Sequence, residues 1–341
     1  METNKKRILA IIPARSGSKS VTHKNIRLID GKPMLAYSIE HARESNYINR
    51  IIVSTDSEEY AKIAREYGAE IPFLRPYEYA TDTALDIDVF VHALQFLKSE
   101  EDYVPDIVVH LRPTYPIRNV SQIDAMIEML LVDDSADSVR SVSLAREIPH
   151  KMWYLAENNQ MTPILKDIPE AYNMPRQQLP RILYQNANVD VIRSSVIVKH
   201  HSMSGKKILG YEMKDNFDID TEDDFERACE YLKIKRGGRR FVFDIDGVIA
   251  KKREDLDYAM AEPNDKMIRI INKLYEYGNE IILFTARGYV SGIDWHHRTE
   301  EQMKKWHVKY HELHMGKPNA DYYVDDKMLG IKFLYDEFGD K

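Results

Sequence analysis

Small and basic residues follow the first apolar run of the chain and could bind a polyphosphate. The run Ile8 to Pro13 has the length of a buried strand, and the segment Ala14 to Lys19 and the pair Lys24 and Asn25 come after it. In α/β sheets such a loop presents backbone N–H groups and positive charge to phosphates. The spacing matches neither a Walker A loop nor a dinucleotide-binding glycine motif, so each cation taken alone could also belong to a solvated turn.

Two carboxylates later in the chain could hold a metal ion. Asp218 and Asp220 share one face of an extended segment, where both can reach a hard cation such as Mg²⁺. The acidic residues that follow have another explanation. Thr221 is a good helix N-cap, and 222–224 then occupy the first helical turn, where negative charge is stabilised.

A second carboxylate pair ends another apolar run. Asp244 and Asp246 follow 241–243 in the pattern Asp-x-Asp-Gly, which is typical of a metal site at the end of a strand. The other ligand positions of a calcium-binding EF-hand loop are absent. Thr285 ends a further apolar run at 281–284.

Strands alternating with helices must position these residues. We predict strands at 8–13, 50–56, 71–74, 106–111, 138–143 and 184–193, and helices at 34–43, 57–67, 85–97, 120–131 and 221–234. This order predicts a doubly wound, mostly parallel, Rossmann-like α/β sheet whose ligands lie at the carboxyl ends of the strands. The alternation breaks between 149 and 191, as in an inserted arm. The basic, glycine-containing segment 233–240 predicts a boundary between domains 1–236 and 237–341, the second being a smaller α/β domain.

Composition limits the classes of function. The chain has 341 residues, 43% hydrophobic and 30% charged, which is typical of a globular protein. A net charge of −7 disfavours non-specific nucleic-acid binding. The single cysteine, Cys229, excludes an intrachain disulfide and suits a reducing compartment. No apolar run reaches the roughly 20 residues of a membrane span, so we expect a cytoplasmic protein without a membrane partner.

The first two-thirds of the chain resemble a known enzyme family. The segments 12–19, 24–26 and 31–35 resemble the signature of the acylneuraminate (CMP-sugar) cytidylyltransferases, and the resemblance covers residues of about 7–235. It implies CTP and a sugar as substrates, Mg²⁺ as cofactor, release of pyrophosphate, and dimerisation through the inserted arm. The CTP-binding residues that it implies are Ala14, Arg15, Ser16, Gly17, Ser18, Lys19, Lys24, Asn25, Arg75 and Thr83. The implied acceptor-binding residues are Arg112, Lys151, Arg176, Gln177, Asn186 and Asp190.

Roles follow from the same resemblance. Arg15 and Lys19 would hold the charge that develops on the leaving pyrophosphate, while Asp218 and Asp220 would bind Mg²⁺. At two acceptor positions the chain departs from sialic-acid members, with Arg112 in place of Gln and Asp190 in place of Tyr. An arginine suits a carboxylate or a phosphate equally well. The acceptor is therefore either an acidic ulosonic sugar, giving a CMP-sugar, or a phosphorylated sugar or polyol, giving a CDP-linked product.

The last hundred residues resemble haloacid-dehalogenase-type (HAD) phosphatases in four ordered segments, 241–248, 281–285, 316–318 and 323–327. The resemblance implies that Asp244 is the nucleophile and Asp246 the acid and base, and that Thr285 and Lys317 bind the phosphoryl group. Asp325 would hold Mg²⁺ with Asp244, and Asp246 and Asp326 complete the implied metal-binding set. We interpret the chain as a bifunctional enzyme of surface-polysaccharide precursor synthesis. The alternatives are a second domain that only binds or oligomerises, and a regulatory CTP sensor.

Overall fold

The chain divides into two compact units, Met1–Phe225 and Glu226–Lys341. The computed structural model describes residues 6–17, 23–213, 217–252, 257–320, 322–323 and 325–339. The division falls inside the helix Glu222–Arg236, and the predicted boundary lies at the end of this helix. In the parts of the chain that are described, no helix is both long enough and apolar enough to cross a membrane.

The first unit is built on one central sheet. Its strands are β1 (Ile8–Pro13), β2 (Leu28–Ile29), β3 (Lys32–Pro33), β4 (Arg50–Ser54), β5 (Ile107–Leu111), β6 (Ser138–Leu144), β7 (Trp153–Leu155), β8 (Met161–Pro163), β9 (Leu183–Arg193) and β10 (Ile208–Glu212). Its helices are α1 (Met34–Glu44), α2 (Glu58–Glu66), α3 (Asp86–Glu101), α4 (Val120–Val132) and α5 (Ser194–His200), and α6 (Glu222–Arg236) begins in it.

The described strands of the central sheet have the order β10-β6-β9-β5-β1-β4. β1 pairs in parallel with β4 and β5, and β10 pairs in parallel with β6. β9 is antiparallel to β5 and to β6. The prediction of a mostly parallel α/β sheet is therefore confirmed.

Helices cover both faces of this sheet because successive side chains of a strand point to opposite sides. Ile8, Ala10 and Ile12 of β1 pack in one buried cluster with α1, α2 and α4. Leu9 and Ile11 pack in the other cluster with α3 and α5. A strand buried on both faces must be apolar at every position, which explains the continuous apolar run at the start of the chain.

The strand predicted at 71–74 is wrong. Residues 71–75 carry no strand; instead the amide of Glu70 donates to the carbonyl of Ile51, and the amide of Val53 donates to the carbonyl of Glu70. Pro72 has no N–H to continue this ladder, so pairing ends after one residue.

The connection from β6 to β9 breaks the alternation of strand and helix, as predicted. β7 and β8 form an antiparallel pair, followed by 3₁₀ turns at Ala171–Asn173 and Arg176–Gln178. Without a helical crossover, β9 returns antiparallel to β6.

The second unit contains a smaller parallel sheet. Its described strands, β11 (Arg240–Phe243), β12 (Glu280–Phe284) and β13 (Glu312–His314), pair in this order. Its helices are α7 (Asp265–Glu276), α8 (His296–Lys305) and α9 (Ile331–Phe338). α7 buries Met267, Ile268, Ile270, Ile271 and Leu274, a helical spacing that places one apolar face in the core of this unit.

Candidate active site

A cavity of about 550 Å³ lies at the carboxyl ends of β1 and β5. Its lining includes Pro13, Arg15, Lys24, Asn25, Arg75, Tyr79, Thr81, Asp82, Ala84, Asp86, Val89, His110, Arg112, Pro113, Thr114 and Asp220. Predicted CTP-binding, acceptor-binding and metal-binding residues therefore meet at one cavity. Ser18 and Lys19, which were predicted to bind CTP, lie outside the described residues.

Lys24 joins the loop after β1 to the acidic segment. Its Nζ donates to the carbonyl of Ile219 at 2.7 Å, across 195 positions of sequence, and lies 3.3 Å from Oδ1 of Asp220. Lys24 is only 7% exposed, so its ammonium depends on these partners for solvation. The amide of Ile219 donates to the carbonyl of Thr114 at 3.0 Å, which ties the acidic segment to the loop after β5.

Arg15 also lines the cavity. Its Nη1 donates to the carbonyl of Thr81 at 2.8 Å and lies 2.9 Å from Oδ1 of Asp82. The side-chain amide of Asn25 donates to the carbonyl of Arg15 at 2.9 Å, which fixes the backbone of this residue. Thr83 is exposed and is not among the lining residues, although its neighbours Thr81 and Asp82 are.

The rest of the loop after β1 is held by the end of β4. Ala14 is buried and its amide donates to the carbonyl of Ser54 at 2.9 Å. Ser16 donates to Asp56 twice, from its amide at 2.9 Å and from its hydroxyl at 2.7 Å. Gly17 is exposed, and the position that a Cβ would take there is open space. These contacts position the loop. The cations of the loop, and not these small residues, line the cavity.

Arg75 supplies a buried positive charge. It is 6% exposed, and its Nε donates to the hydroxyl of Ser54 at 3.0 Å while Nη2 donates to the carbonyl of the same residue. Burial lowers the pKa of Arg75 to about 10, so the guanidinium stays charged at neutral pH. This cation therefore adds to the positive potential of the cavity.

Asp218 is suited to bind a cation. The hydroxyl of Tyr115 contacts its Oδ2 at 2.7 Å, whereas Oδ1 is buried and has no hydrogen-bond partner among the described residues. Burial raises the pKa of Asp218, the Tyr115 contact opposes this, and the charge of Asp220 adds to it. The Asp220 side chain is 72% exposed. A buried carboxylate oxygen without a partner, beside a second carboxylate, fits the oxygen donors that Mg²⁺ requires.

Arg112 is the predicted acceptor residue that lines the cavity. Its Nη1 donates to the carbonyl of Ala187 at 2.8 Å and to Oδ2 of Asp190 at 3.1 Å, and its Nη2 donates to Oδ2 of Asp86 at 3.0 Å. The two residues at which the chain departs from the sialic-acid pattern therefore pair with each other. This pairing could not be predicted from the sequence, because it depends on the register of β5 and β9.

The other predicted acceptor residues are not among the lining residues. Asn186 is buried and its amide donates to the hydroxyl of Ser143 at 2.8 Å. Arg176 donates to the carbonyl of Ala145 at 3.1 Å, and Lys151 donates to the carbonyl of Tyr172 at 3.3 Å. Gln177 is exposed and, like Asp190, does not line the cavity.

Comparison with known proteins places this site in a family. The model of a family described as cytidylyltransferase matches residues 9–245. The chain belongs to the cytidylyltransferase family. The predicted membership of the cytidylyltransferases and the predicted cytidylyltransferase class of enzyme are confirmed, whereas the predicted phosphatase domain stays a prediction.

Several proteins similar to this chain are named for the sugar acids that they activate or synthesise as CMP derivatives. The chain is 34% identical over 233 residues to the CMP-N,N'-diacetyllegionaminic acid synthase of Legionella pneumophila, which covers 67% of this chain and 98% of that protein. It is 30% identical over 263 residues to the N-acylneuraminate cytidylyltransferase of Escherichia coli, covering 74% of this chain and 58% of that protein. A solved CMP:2-keto-3-deoxy-manno-octonic acid synthetase complexed with CTP has the same fold, with a TM-score of 0.52 at 15% identity over 67% of this chain and 99% of that one.

In the second unit, three of the predicted residues follow strands: Asp244 directly follows β11, Thr285 directly follows β12, and Lys317 lies in the segment after β13. Nζ of Lys317 donates to Oδ2 of Asp244 at 2.6 Å. The amide of Lys317 donates to the carbonyl of Thr285 at 3.0 Å, and Thr285 is fully buried. The carboxylate of Asp244 and the ammonium of Lys317 are thus in contact, and a backbone hydrogen bond joins Lys317 to Thr285, although the three residues come from segments far apart in sequence.

Arg287 is a residue of this second site that the sequence did not indicate. Its Nε and Nη2 donate to Asp246 at 2.8 and 2.7 Å, and its Nη1 donates to Gln302 at 2.7 Å. Arg287 follows Thr285 by two positions, and this position just after a strand could have indicated a site residue. Asp325 and Asp326 are exposed, and the amide of Lys327 holds the pKa of Asp325 below its usual value. In the described ranges no group of three or more His, Cys, Asp or Glu side chains could hold a metal ion, in either unit.

Proposed function

We propose that the first unit transfers the cytidylyl group of CTP to a sialic-acid-like ulosonic sugar, releasing pyrophosphate and forming a CMP-sugar. The observation that carries this proposal is the meeting of Lys24, Arg15 and Arg75 with Asp220 around one cavity. The cations can bind the phosphates of a nucleotide, and the carboxylate can bind the metal ion that accompanies those phosphates. The similar proteins support the acceptor class, since they are named for legionaminic, acylneuraminic and pseudaminic acids.

In the proposed reaction a hydroxyl oxygen of the sugar attacks the α-phosphorus, the hydroxyl proton is released to solvent, and the bond between the α-phosphorus and the pyrophosphate oxygen breaks. Arg15 and Lys19 stabilise the charge that develops on the leaving group, which is the main contribution that a protein makes to such a transfer. Asp218 and Asp220 would hold Mg²⁺, which neutralises phosphate charge when bound. Lys24 keeps Asp220 at the cavity through their 3.3 Å contact.

The surroundings of Arg112 favour a carboxylate acceptor over a phosphorylated one. Asp86 and Asp190 both contact its guanidinium, at 3.0 and 3.1 Å. A dianionic phosphate placed beside two carboxylates is repelled, whereas a singly charged carboxylate meets less repulsion. We therefore favour a CMP-sugar over a CDP-linked product.

For the second unit we propose a HAD-type phosphatase that acts on a sugar phosphate of the same pathway. Asp244 would attack phosphorus, releasing the alcohol, and Asp246 would protonate the leaving oxygen and later activate water. Two observations support this: Lys317 lies 2.6 Å from Asp244, and Arg287 orients Asp246 with two hydrogen bonds. A unit that only binds a partner would not need this arrangement.

The test is to identify the products formed by the full chain. CTP and Mg²⁺ are incubated with N-acylneuraminate, N,N'-diacetyllegionaminic acid, pseudaminic acid and a panel of sugar phosphates, and products are identified by mass. We expect pyrophosphate and a CMP-sugar from one of the acids, and inorganic phosphate from a sugar phosphate. A CDP-linked product would contradict the proposed acceptor class, and absence of any cytidylylated product would contradict the transferase proposal.

A further inference from the structure

The guanidinium of Arg112 is held by carboxylates on two sides. Asp190 accepts from Nη1 at 3.1 Å, together with the carbonyl of Ala187 at 2.8 Å, and Asp86 accepts from Nη2 at 3.0 Å. Arg112 itself lies on the cavity wall with 23% of its side chain exposed. Each of its two terminal nitrogens therefore already has an anionic partner.

The two carboxylates differ in their access to the cavity. Asp190 belongs to β9, has 1% of its side chain exposed and is not a lining residue. Asp86 belongs to the first turn of α3, has 48% of its side chain exposed and lines the cavity. A ligand in the cavity can therefore reach the place of Asp86 and not that of Asp190.

Two further basic side chains face the carboxylate of Asp190. Nη1 of Arg140 lies 3.9 Å from its Oδ1, and Nδ1 of His110 lies 3.8 Å from its Oδ2. Burial holds the pKa of His110 well below its ordinary value, so this ring is neutral. With a neutral histidine beside it, Asp190 depends on Arg112 and Arg140 for its electrostatic partners. A buried carboxylate is very costly to leave unpaired, so Arg112 stays bound to Asp190.

We infer that Asp190 is a positioning residue for Arg112, and that Asp86 occupies the cavity side of the guanidinium until the carboxylate of the sugar acid replaces it. This inference rests on the proposed transferase function. A partly exposed ion pair contributes little free energy, so displacing Asp86 costs little. A guanidinium offers donors in a planar fork, and Arg112 can keep Asp190 on Nη1 while Nη2 binds the incoming carboxylate.

The inference predicts opposite effects for two isosteric substitutions beside the same arginine. In initial-rate measurements on the full chain, Asp86→Asn lowers the KM for the acid by about twofold to fivefold, because the competitor loses its charge. Asp190→Asn raises that KM by about tenfold or more, because Arg112 loses its anchor. The KM for CTP changes less than twofold in both variants.

Asp88→Asn is the matched control. Asp88 lies in the same first turn of α3, where its carboxylate is 3.8 Å from the ring of His201. The Asp88→Asn substitution removes the same charge from the same helix end without removing a partner of Arg112. It should therefore leave the KM for the acid unchanged. A second control is the carboxamide analogue of the acid, for which Asp86→Asn gives no improvement.

The result that overturns the inference is a KM for the acid that rises in Asp86→Asn, or that falls equally in Asp88→Asn. A change confined to the KM for CTP overturns it as well, since Arg112 would then serve the nucleotide. These outcomes leave the transferase function standing, because product still forms. If the unsubstituted enzyme forms no CMP-sugar from any acid of the panel, the proposed function and this inference fail together.

Discussion

Burial of the Asp218 carboxylate costs folding free energy at neutral pH, although the proposed chemistry uses that carboxylate. Its buried Oδ1 has no hydrogen-bond partner within the described part of the chain, and burial raises the pKa of its carboxyl. A carboxyl with a raised pKa binds more protons in the folded state than in the unfolded state. The folded state is therefore favoured below the unfolded pKa, and this contribution is lost as the pH rises through the folded pKa.

Asp218→Asn should therefore stabilise the protein at pH 7.5 while it inactivates the transferase. We expect a midpoint of thermal unfolding that is higher by about 2–4 °C, because the cost of the buried charge is removed. Pyrophosphate release should fall about a hundredfold or more, because a ligand of the proposed metal is lost. Calorimetry without added Mg²⁺ and a pyrophosphate assay measure the two effects. A variant that is both less stable and fully active would contradict this account of Asp218.

The sequence predicted which residue types gather at the cavity better than it predicted their partners. Lys24 and Asp220 were both expected at the nucleotide, and the structure places them 3.3 Å apart. The contact between Tyr115 and Asp218 was not predicted, nor was the pairing of Arg112 with Asp190. Such partners depend on how distant segments pack, and a spacing pattern carries no information about that.

At the scale of elements, Arg118 fixes the loop between β5 and α4. Its Nη1 donates to the hydroxyl of Ser38 at 2.8 Å and to the carbonyl of Tyr115 at 2.6 Å, and Nη2 donates to the carbonyl of Arg112. Its Nε donates to the side-chain oxygen of Asn188 at 2.9 Å, which joins the loop to β9. Burial lowers the pKa of Arg118 to about 9, which still leaves it charged at neutral pH.

Arg118→Met should destabilise the protein by about 3 kcal/mol, because several oxygens of the loop lose their donor. Urea denaturation followed by circular dichroism measures the change in the free energy of unfolding. Arg118→Lys keeps the charge but not the planar set of donors, so we expect it to recover less than half of the loss. Full recovery by lysine would show that charge, and not the hydrogen-bond geometry, holds the loop.

Elements with strong local signals were predicted well. α2 begins after Ser57, whose side chain accepts from the amide of Tyr60, and the chain leaves the helix through Gly68, with φ at 94°. The strand predicted at 71–74 failed because tertiary pairing ends at Pro72. The antiparallel direction of β9 was not predicted, since it follows from the missing helical crossover after β6.

At the scale of the whole molecule, each unit has its own buried core. The two proposed activities should therefore be separable by substitution. In the full chain, Asp244→Asn should abolish phosphate release from sugar phosphates while CTP-dependent pyrophosphate release stays within about twofold of the unsubstituted enzyme. Colorimetric phosphate and pyrophosphate assays on one preparation measure both. A parallel loss of the two activities would contradict independent sites.

For the second unit, the sequence predicted the residues at strand ends and missed their neighbour. Asp244, Thr285 and Lys317 were predicted as site residues; the ammonium of Lys317 contacts Asp244, its backbone amide contacts the carbonyl of Thr285, and their roles stay predictions. Arg287 was not predicted as the partner of Asp246, because an arginine in a loop has many possible roles. Arg287 is buried because α8 packs beside it, and a sequence pattern does not indicate that packing.

The most direct measurement of the central claim is Mg²⁺- and CTP-dependent pyrophosphate release by Asp220→Asn compared with Asp223→Asn. Both carboxylates are exposed, but Asp220 lines the cavity beside Lys24 whereas Asp223 lies in the first turn of α6. We predict that Asp220→Asn loses about a hundredfold or more in rate while it stays folded, and that Asp223→Asn loses less than threefold. Near-normal pyrophosphate release by folded Asp220→Asn would contradict the assignment of this cavity to the triphosphate and its metal.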